Sequence, residues 1–89
     1  MKTQNIENMH STISFKSIPG IYFKEKNNNK PNTVRKIDKE DYRFKALESG
    51  IAKEIGIINS QTGENFFRNI KDVTFWEDMV IISWFEEPN

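Results

Sequence analysis

Residues 79–85 have the sequence Met-Val-Ile-Ile-Ser-Trp-Phe, in which six of the seven side chains are apolar. Successive side chains of an extended strand point to opposite faces, so Val80, Ile82 and Trp84 share one face and the other three apolar side chains share the second. A strand that is apolar on both faces is expected inside a sheet or at the closure of a barrel. The segment therefore predicts a sheet or barrel with this strand in a central position.

The segments before this strand continue the β pattern. Residues 60–63, Ser-Gln-Thr-Gly, are typical of a tight hairpin loop with glycine at a position of positive φ. Glu77 and Asp78 form the predicted turn that leads into the final strand. Further strands are predicted at residues 11–17, 54–59, 64–70 and 73–76, because their apolar and polar side chains alternate or because they lie between predicted turns.

Two short helices are predicted between the strands. The first covers residues 21–26, because a Pro-Gly pair breaks the preceding strand and the asparagines at 27–29 favour a turn. The second begins at Asp38, whose side chain can cap free backbone N–H groups, and ends at Gly50. The predicted fold is therefore α+β and mostly β, a small curled antiparallel sheet or β-barrel with two short helices.

Length and composition limit the possible classes. The 89 residues suffice for one domain, which we place at residues 11–87 after a loose N-terminal arm at residues 1–10. The sequence contains no cysteine, which excludes disulfides, zinc-thiolate sites and a cysteine nucleophile. Because neither a signal peptide nor an apolar run of about 20 residues is present, we expect a cytoplasmic protein without a membrane segment.

The charges are distributed unevenly along the chain. Residues 16–45 contain nine Lys or Arg against four Asp or Glu, a balance of +5, whereas residues 46–89 contain three against eight, a balance of −5. A basic half of a small domain favours a polar or anionic ligand on that side. The alternative is an ordinary solvated surface, because halves of a sequence need not be halves of a fold.

The most informative polar segment is the basic stretch at residues 30–36. Lys30, Thr33 and Arg35 follow a Lys-x-x-Thr-x-Arg spacing, and extended structure after Pro31 places Thr33 and Arg35 on the same face. A cation, a hydroxyl and a guanidinium on one patch can hold a phosphate, a carboxylate or a nucleobase edge. We therefore predict these three as ligand-binding residues.

This spacing, together with the opening strand at 13–16 and the closing strand at 79–84, resembles the ASCH domains of the PUA-like superfamily. The resemblance implies a PUA-like β-barrel that binds RNA or a nucleotide-type polar ligand beside Lys30, Thr33 and Arg35. Some small ASCH proteins hydrolyse the acyl amide of acylated cytidine, so the resemblance also implies this activity as a second possibility. Carried over, Lys30 is the base, Thr33 the nucleophile and Glu77, near the last turn, the third catalytic residue. Asn29 and Pro31 depart from the family pattern.

Two further residues are candidates for the ligand site. Arg68 lies in a predicted strand and can project into the same cleft, or it can form a cross-strand ion pair with Glu54 or Glu64. Trp76 precedes a turn and can stack on a base, or it can pack in the core. The single histidine, His10, has no partner at metal-ligand spacing, so we expect neither a metal nor a cofactor.

Three functions remain open at this stage. The first is a binding module for RNA or a nucleotide-type ligand. The second is a phage-type interaction protein that inhibits or modulates a host or defence protein, because the Asn-, Ile- and Lys-rich composition is typical of small proteins of low-GC bacteria and their phages. The third is an amidohydrolase on acylated cytidine, and we expect binding rather than catalysis.

Overall fold

A computed structural model describes residues 11–86, so the predicted N-terminal arm and His10 lie outside the described residues. Five strands and two helices make up this part of the chain, and mostly-β α+β architecture is confirmed. In chain order the elements are β1 Thr12–Ser17, α1 Pro19–Lys26, β2 Asn32–Lys36, α2 Tyr42–Glu48, β3 Glu54–Asn59, β4 Asn65–Trp76 and β5 Met79–Trp84.

The strands form one curled sheet in the order β1-β3-β4-β5-β2. Three of its four strand pairs are antiparallel, as predicted, and β1 pairs with β3 in parallel. The curl depends on the 12-residue strand β4, which pairs with β3 through residues 65–69 and with β5 through residues 70–76. The two predicted strands at 64–70 and 73–76 are therefore one strand, with a register shift between Ile70 and Asp72 in place of a break.

The inner face of the sheet and the two helices enclose the core. β5 lies between β4 and β2, which confirms its predicted interior position. Its outer face, however, is only partly covered, because Ile81 is 36% exposed and Phe85, just after the strand, is 56% exposed. The largest fully buried apolar side chains come from β1, α1, β3 and β5: Ile13, Tyr22, Ile55, Ile57, Val80 and Ile82.

The second helix begins later than predicted. Asp38 is part of a turn, in which its Oδ1 accepts a hydrogen bond from the backbone N–H of Glu40 at 3.0 Å. Asp41 is the residue that caps α2, because its side chain accepts from the N–H of Arg43 at 2.9 Å. Gly50, at φ +80°, follows the helix as predicted.

The predicted turns are confirmed. In the loop between β3 and β4, Gly63 has a φ of +83°, and its N–H donates to the carbonyl of Asn59 at 2.8 Å. Glu77 and Asp78 connect β4 to β5, and Glu77 adopts a positive φ of 56°. The curl and these turns leave β1 and β2 as the two edge strands of the sheet.

Candidate functional site

The side chain of Arg35 joins the two edge strands. From β2, its Nη1 donates to the carbonyl oxygen of Lys16 at 2.7 Å and its Nη2 donates to Ser17 Oγ at 2.6 Å, both on β1. Its Nε donates to Thr33 Oγ1 at 2.9 Å, which confirms that Thr33 and Arg35 share a face. We call this line of contact between β1 and β2 the seam, because side chains rather than a backbone ladder connect the strands there.

A buried carboxylate extends the hydrogen bonds of the seam. Glu25 on α1 is 0% exposed, and its Oε1 accepts from Ser17 Oγ at 2.8 Å. Its Oε2 lies 3.5 Å from Lys30 Nζ, which also donates to the carbonyl of Asn32 at 2.9 Å. Tyr22, three residues earlier, is also fully buried, so the buried side of α1 directs Glu25 inward.

These contacts form one continuous polar chain, Lys30–Glu25–Ser17–Arg35–Thr33, at the base of a cleft of about 440 Å³. We call it the polar cleft. Lys30, whose side chain is 32% exposed, reaches its surface, whereas Thr33 is only 2% exposed. The lining residues are Lys16, Ser17, Ile18, Ile21, Glu25, Lys30, Thr33, Val34 and Arg35.

A second cleft of about 420 Å³ lies on the other side of Arg35, and we call it the cationic cleft. Arg43 of α2 crosses to β1 there, because its Nη1 donates to the carbonyl of Ser14 at 2.6 Å. The guanidinium carbons of Arg35 and Arg43 lie 5.1 and 4.3 Å from the centroid of the Phe15 ring. The lining residues are Ser14, Phe15, Lys16, Arg35, Lys36, Arg43 and Ile58.

The electrostatics of the two arginines differ. Burial lowers the pKa of Arg35, an effect that Glu25 opposes and that the charge of Arg43 adds to. The hydrogen bonds that Arg43 donates to the Asp41 carboxylate raise the pKa of Arg43 and lower the pKa of Asp41. Arg43 therefore has a carboxylate partner at 2.6 Å, whereas Arg35 donates to two hydroxyls and a carbonyl.

None of the other predicted site residues lines the polar cleft. Glu77 follows β4 at the far end of β2, where Lys36 is opposite Met79, so the length of a five-residue strand, about 16 Å, separates it from Lys30. It lines a third cleft with Phe44 and Phe75. The carboxylate beside Lys30 is Glu25 instead.

Arg68 and Trp76 line none of the three clefts described above. Arg68 Nη2 donates to the carbonyl of Lys26 at 3.0 Å, and its guanidinium carbon lies 4.6 Å from the Phe66 ring centroid, so it connects β4 to the end of α1. Trp76 is 64% exposed at the end of β4, and the predicted alternative of core packing is wrong for it.

Sequence reasoning missed two residues of the polar cleft that carried a detectable signal. Ser17 continues the inward-facing alternation of Ile13 and Phe15, and Glu25 lies three residues after Tyr22 on the same helix. A polar side chain at an inward position next to a buried carboxylate is a signature of a polar cluster. Within residues 11–86, no group of three or more His, Cys, Asp or Glu side chains is placed to hold a metal ion.

Comparison of the chain with protein-family models, with curated proteins and with solved structures gave no match in any of the three. The resemblance to ASCH domains therefore stays a prediction based on the Lys-x-x-Thr-x-Arg spacing. Among the helices of the described part, none is long and apolar enough to cross a membrane.

Proposed function

We propose that this chain is a cytoplasmic binding module that takes RNA or a nucleotide-type polar ligand in the polar cleft. The observation that carries the proposal is the convergence of Lys30 and Arg35 on one cleft with a polar base and apolar walls. Concave sites with mainly apolar walls and a few fixed polar groups are the usual form of small-molecule sites.

The polar base retains free hydrogen-bond donors. An ammonium group has three N–H donors and a guanidinium has five. Lys30 uses two of its donors, on Glu25 and the carbonyl of Asn32, and Arg35 uses three of its own within the seam. One donor of Lys30 and two of Arg35 are left for acceptor oxygens, such as the carbonyl groups of a nucleobase.

The walls of the polar cleft suit the flat face of a ring. Ile18 is 64% exposed, and Ile21 lines the cleft beside it. Removing apolar surface from water is favourable by about 25 cal/mol per Å². These side chains would therefore stabilise an aromatic ring that packs against them. The combination of ring-sized walls and donors favours a nucleotide-type ligand over a simple anion.

The donors are held in place before a ligand arrives. Glu25 fixes Lys30, and Ser17 with the Lys16 carbonyl fixes Arg35, so little side-chain freedom is lost on binding. The same contacts argue against amide hydrolysis. Lys30 donates to Glu25 and the Asn32 carbonyl, whereas the Thr33 hydroxyl accepts from Arg35, so the described hydrogen bonds do not join the proposed base to the proposed nucleophile.

Calorimetry and NMR titration with the four common nucleosides, their monophosphates and a short single-stranded RNA test this proposal. The test variant is Glu25→Gln/Lys30→Met, which removes both charges of the buried pair and leaves the net charge unchanged. We expect at least about a tenfold loss of affinity, because a charge-assisted donor is lost. The matched control, Glu48→Gln/Lys53→Met, makes the same chemical change at two exposed positions outside the clefts.

Failure of the wild-type chain to bind any of these ligands refutes the proposal, and so does equal binding by the wild type and Glu25→Gln/Lys30→Met. Incubation with acylated cytidine separates binding from catalysis. We expect the acyl amide to stay intact, whereas release of acid that Thr33→Ala abolishes would assign the hydrolase function instead.

The outer face of the sheet favours a second candidate, an interaction protein that binds a host or defence protein. Trp76, Ile81 and Val34 lie on adjacent strands and are 64%, 36% and 47% exposed. Exposed apolar side chains on neighbouring strands are typical of protein interfaces. A Trp76→Ala/Ile81→Ser variant that loses a stoichiometric partner from host lysate, while wild type retains it, would support this candidate.

A further inference from the structure

The cationic cleft concentrates positive charge without an acidic residue among its lining. Lys16, Arg35, Lys36 and Arg43 contribute four cations, all from the basic part of the sequence at residues 16–45. Two of them have acidic partners. Lys36 lies 3.5 Å from Asp78, in a pair whose side chains are 77% and 60% exposed, and Arg43 contacts Asp41. An exposed pair of this kind is weak and leaves Lys36 available for another anion.

The two guanidinium groups are fixed on one side of this cleft. Arg35 and Arg43 donate to carbonyl oxygens of β1 two residues apart, those of Lys16 and Ser14, and both lie over the ring of Phe15. The two groups carry like charge, and the charge of Arg43 contributes, after burial, to the lowered pKa of Arg35. A bound anion would relieve this repulsion, and phosphate is an anion that guanidinium groups bind well through paired N–H donors.

The two clefts adjoin each other, because Lys16 and Arg35 line both. Arg35 has one unused N–H on each Nη atom, since each of these nitrogens makes a single hydrogen bond within the seam. One ligand can therefore extend from the polar cleft across Arg35 into the cationic cleft.

We propose that the cationic cleft binds a phosphate group of the ligand whose ring occupies the polar cleft, so that the ligand is a nucleotide or an RNA phosphodiester rather than a free nucleoside. This inference rests on the function proposed above. It assigns Arg35 and Lys16 to both halves of the ligand, and it assigns Lys36 and Arg43 to the phosphate alone.

The test compares a nucleoside, its 5′- and 3′-monophosphates and inorganic phosphate by calorimetry, for the wild type, Lys36→Gln and Lys53→Gln. Lys36 lines only the cationic cleft. Lys53 is an exposed lysine just before β3, beside the start of β1 and outside the clefts. Both variants remove one positive charge. We expect one of the monophosphates to bind the wild type at least about tenfold more tightly than the nucleoside, through charge-assisted bonds to phosphate.

Lys36→Gln should remove a several-fold part of that gain and leave the affinity for the nucleoside unchanged, whereas Lys53→Gln should alter neither. NMR titration should show the phosphate-dependent shifts at the amides of Phe15 and Lys36. Equal affinities of the wild type for nucleoside and monophosphates would overturn the phosphate site and leave the proposed function intact. A nucleotide that binds no better than inorganic phosphate, with the affinity of both reduced in Lys36→Gln, would support the phosphate site and refute the proposed ring site.

Discussion

The two edges of β2 are held in different ways. On one edge, a backbone ladder pairs Asn32 to Lys36 with Ser83 to Met79 of β5. On the other edge, Arg35 reaches β1 through its side chain. A backbone ladder forms with any suitable pattern of apolar and polar residues, whereas the seam requires particular side chains at particular positions. The ladder therefore provides stability, and the seam provides two clefts with polar groups fixed between them.

The largest expected effect is on the ladder side. Ile82 on β5 is 0% exposed and pairs with Thr33 across the ladder, so Ile82→Ala should lower the free energy of unfolding by about 3 kcal/mol through lost burial and a cavity. Ile81 provides a matched control, since it is the same residue type one position away and 36% exposed. Urea denaturation should give a loss of less than about 1 kcal/mol for Ile81→Ala.

Equal losses for Ile81→Ala and Ile82→Ala would contradict the assignment of inner and outer faces to β5. A small loss for both would mean that the ladder is not the main source of stability. With a total free energy of unfolding of roughly 5–15 kcal/mol, typical of natural domains, a loss of this size at Ile82 is a large part of the whole.

The next effect tests the seam. Arg35→Met keeps most of the apolar stem of the side chain and removes its three hydrogen bonds, so we expect the free energy of unfolding to fall by about 2 kcal/mol. Arg68→Met is the matched control, because Arg68 also donates to backbone carbonyls and stacks on a phenylalanine, but away from the seam.

Both variants should lower the urea midpoint, and only Arg35→Met should also abolish nucleotide binding in calorimetry. If the two arginine variants lose binding alike, the effect on the ligand is a general consequence of instability. If Arg35→Met retains binding, Arg35 is a structural bridge and the ligand contacts other groups.

The contrast between ladder and seam also explains what the sequence could predict. The strands β1, β3 and β5, the hairpin and turn at 60–63 and 77–78, and the inward faces of β1 and β5 follow from the spacing of apolar and turn-forming residues, which is local information. The shared face of Thr33 and Arg35 was predictable for the same reason. The start of α2 was not, because Asp38 and Asp41 are both good capping residues and only the path of the chain selects Asp41.

The acidic member of the site is only five residues from Lys30 in the sequence, but the path of the chain decides which carboxylate meets that lysine. The position of Glu77 near the last turn predicts it as the acidic residue, but the curl of the sheet puts that turn at the far end of β2 from Lys30. Glu25 is brought to Lys30 by the reversal of the chain after α1, where Asn28 has a φ of 70°. The asparagine-rich turn predicts that the chain reverses, but it does not predict which residue before the turn will contact Lys30 after it.

The smallest expected effect is an increase in stability, at the residue just before the helix that borders the polar cleft. Ile18 is the N-cap of α1, with φ −67° and ψ 155°, and makes no side-chain capping hydrogen bond. Serine at this position can accept from a free N–H of the first turn, so Ile18→Ser should raise the free energy of unfolding by about 0.5–1 kcal/mol. Because Ile18 also forms a wall of the polar cleft, the same variant should bind a nucleotide several-fold more weakly.

Ile51→Ser is the control for this variant, since Ile51 is 40% exposed and lies outside both helices and the clefts described above. It should change neither the urea midpoint nor the affinity appreciably. A more stable Ile18→Ser chain with weaker binding would mean that the isoleucine serves ligand binding at the cost of helix stability. A more stable chain with unchanged binding would instead remove Ile18 from the site, and the polar cleft would then act through Lys30 and Arg35 alone.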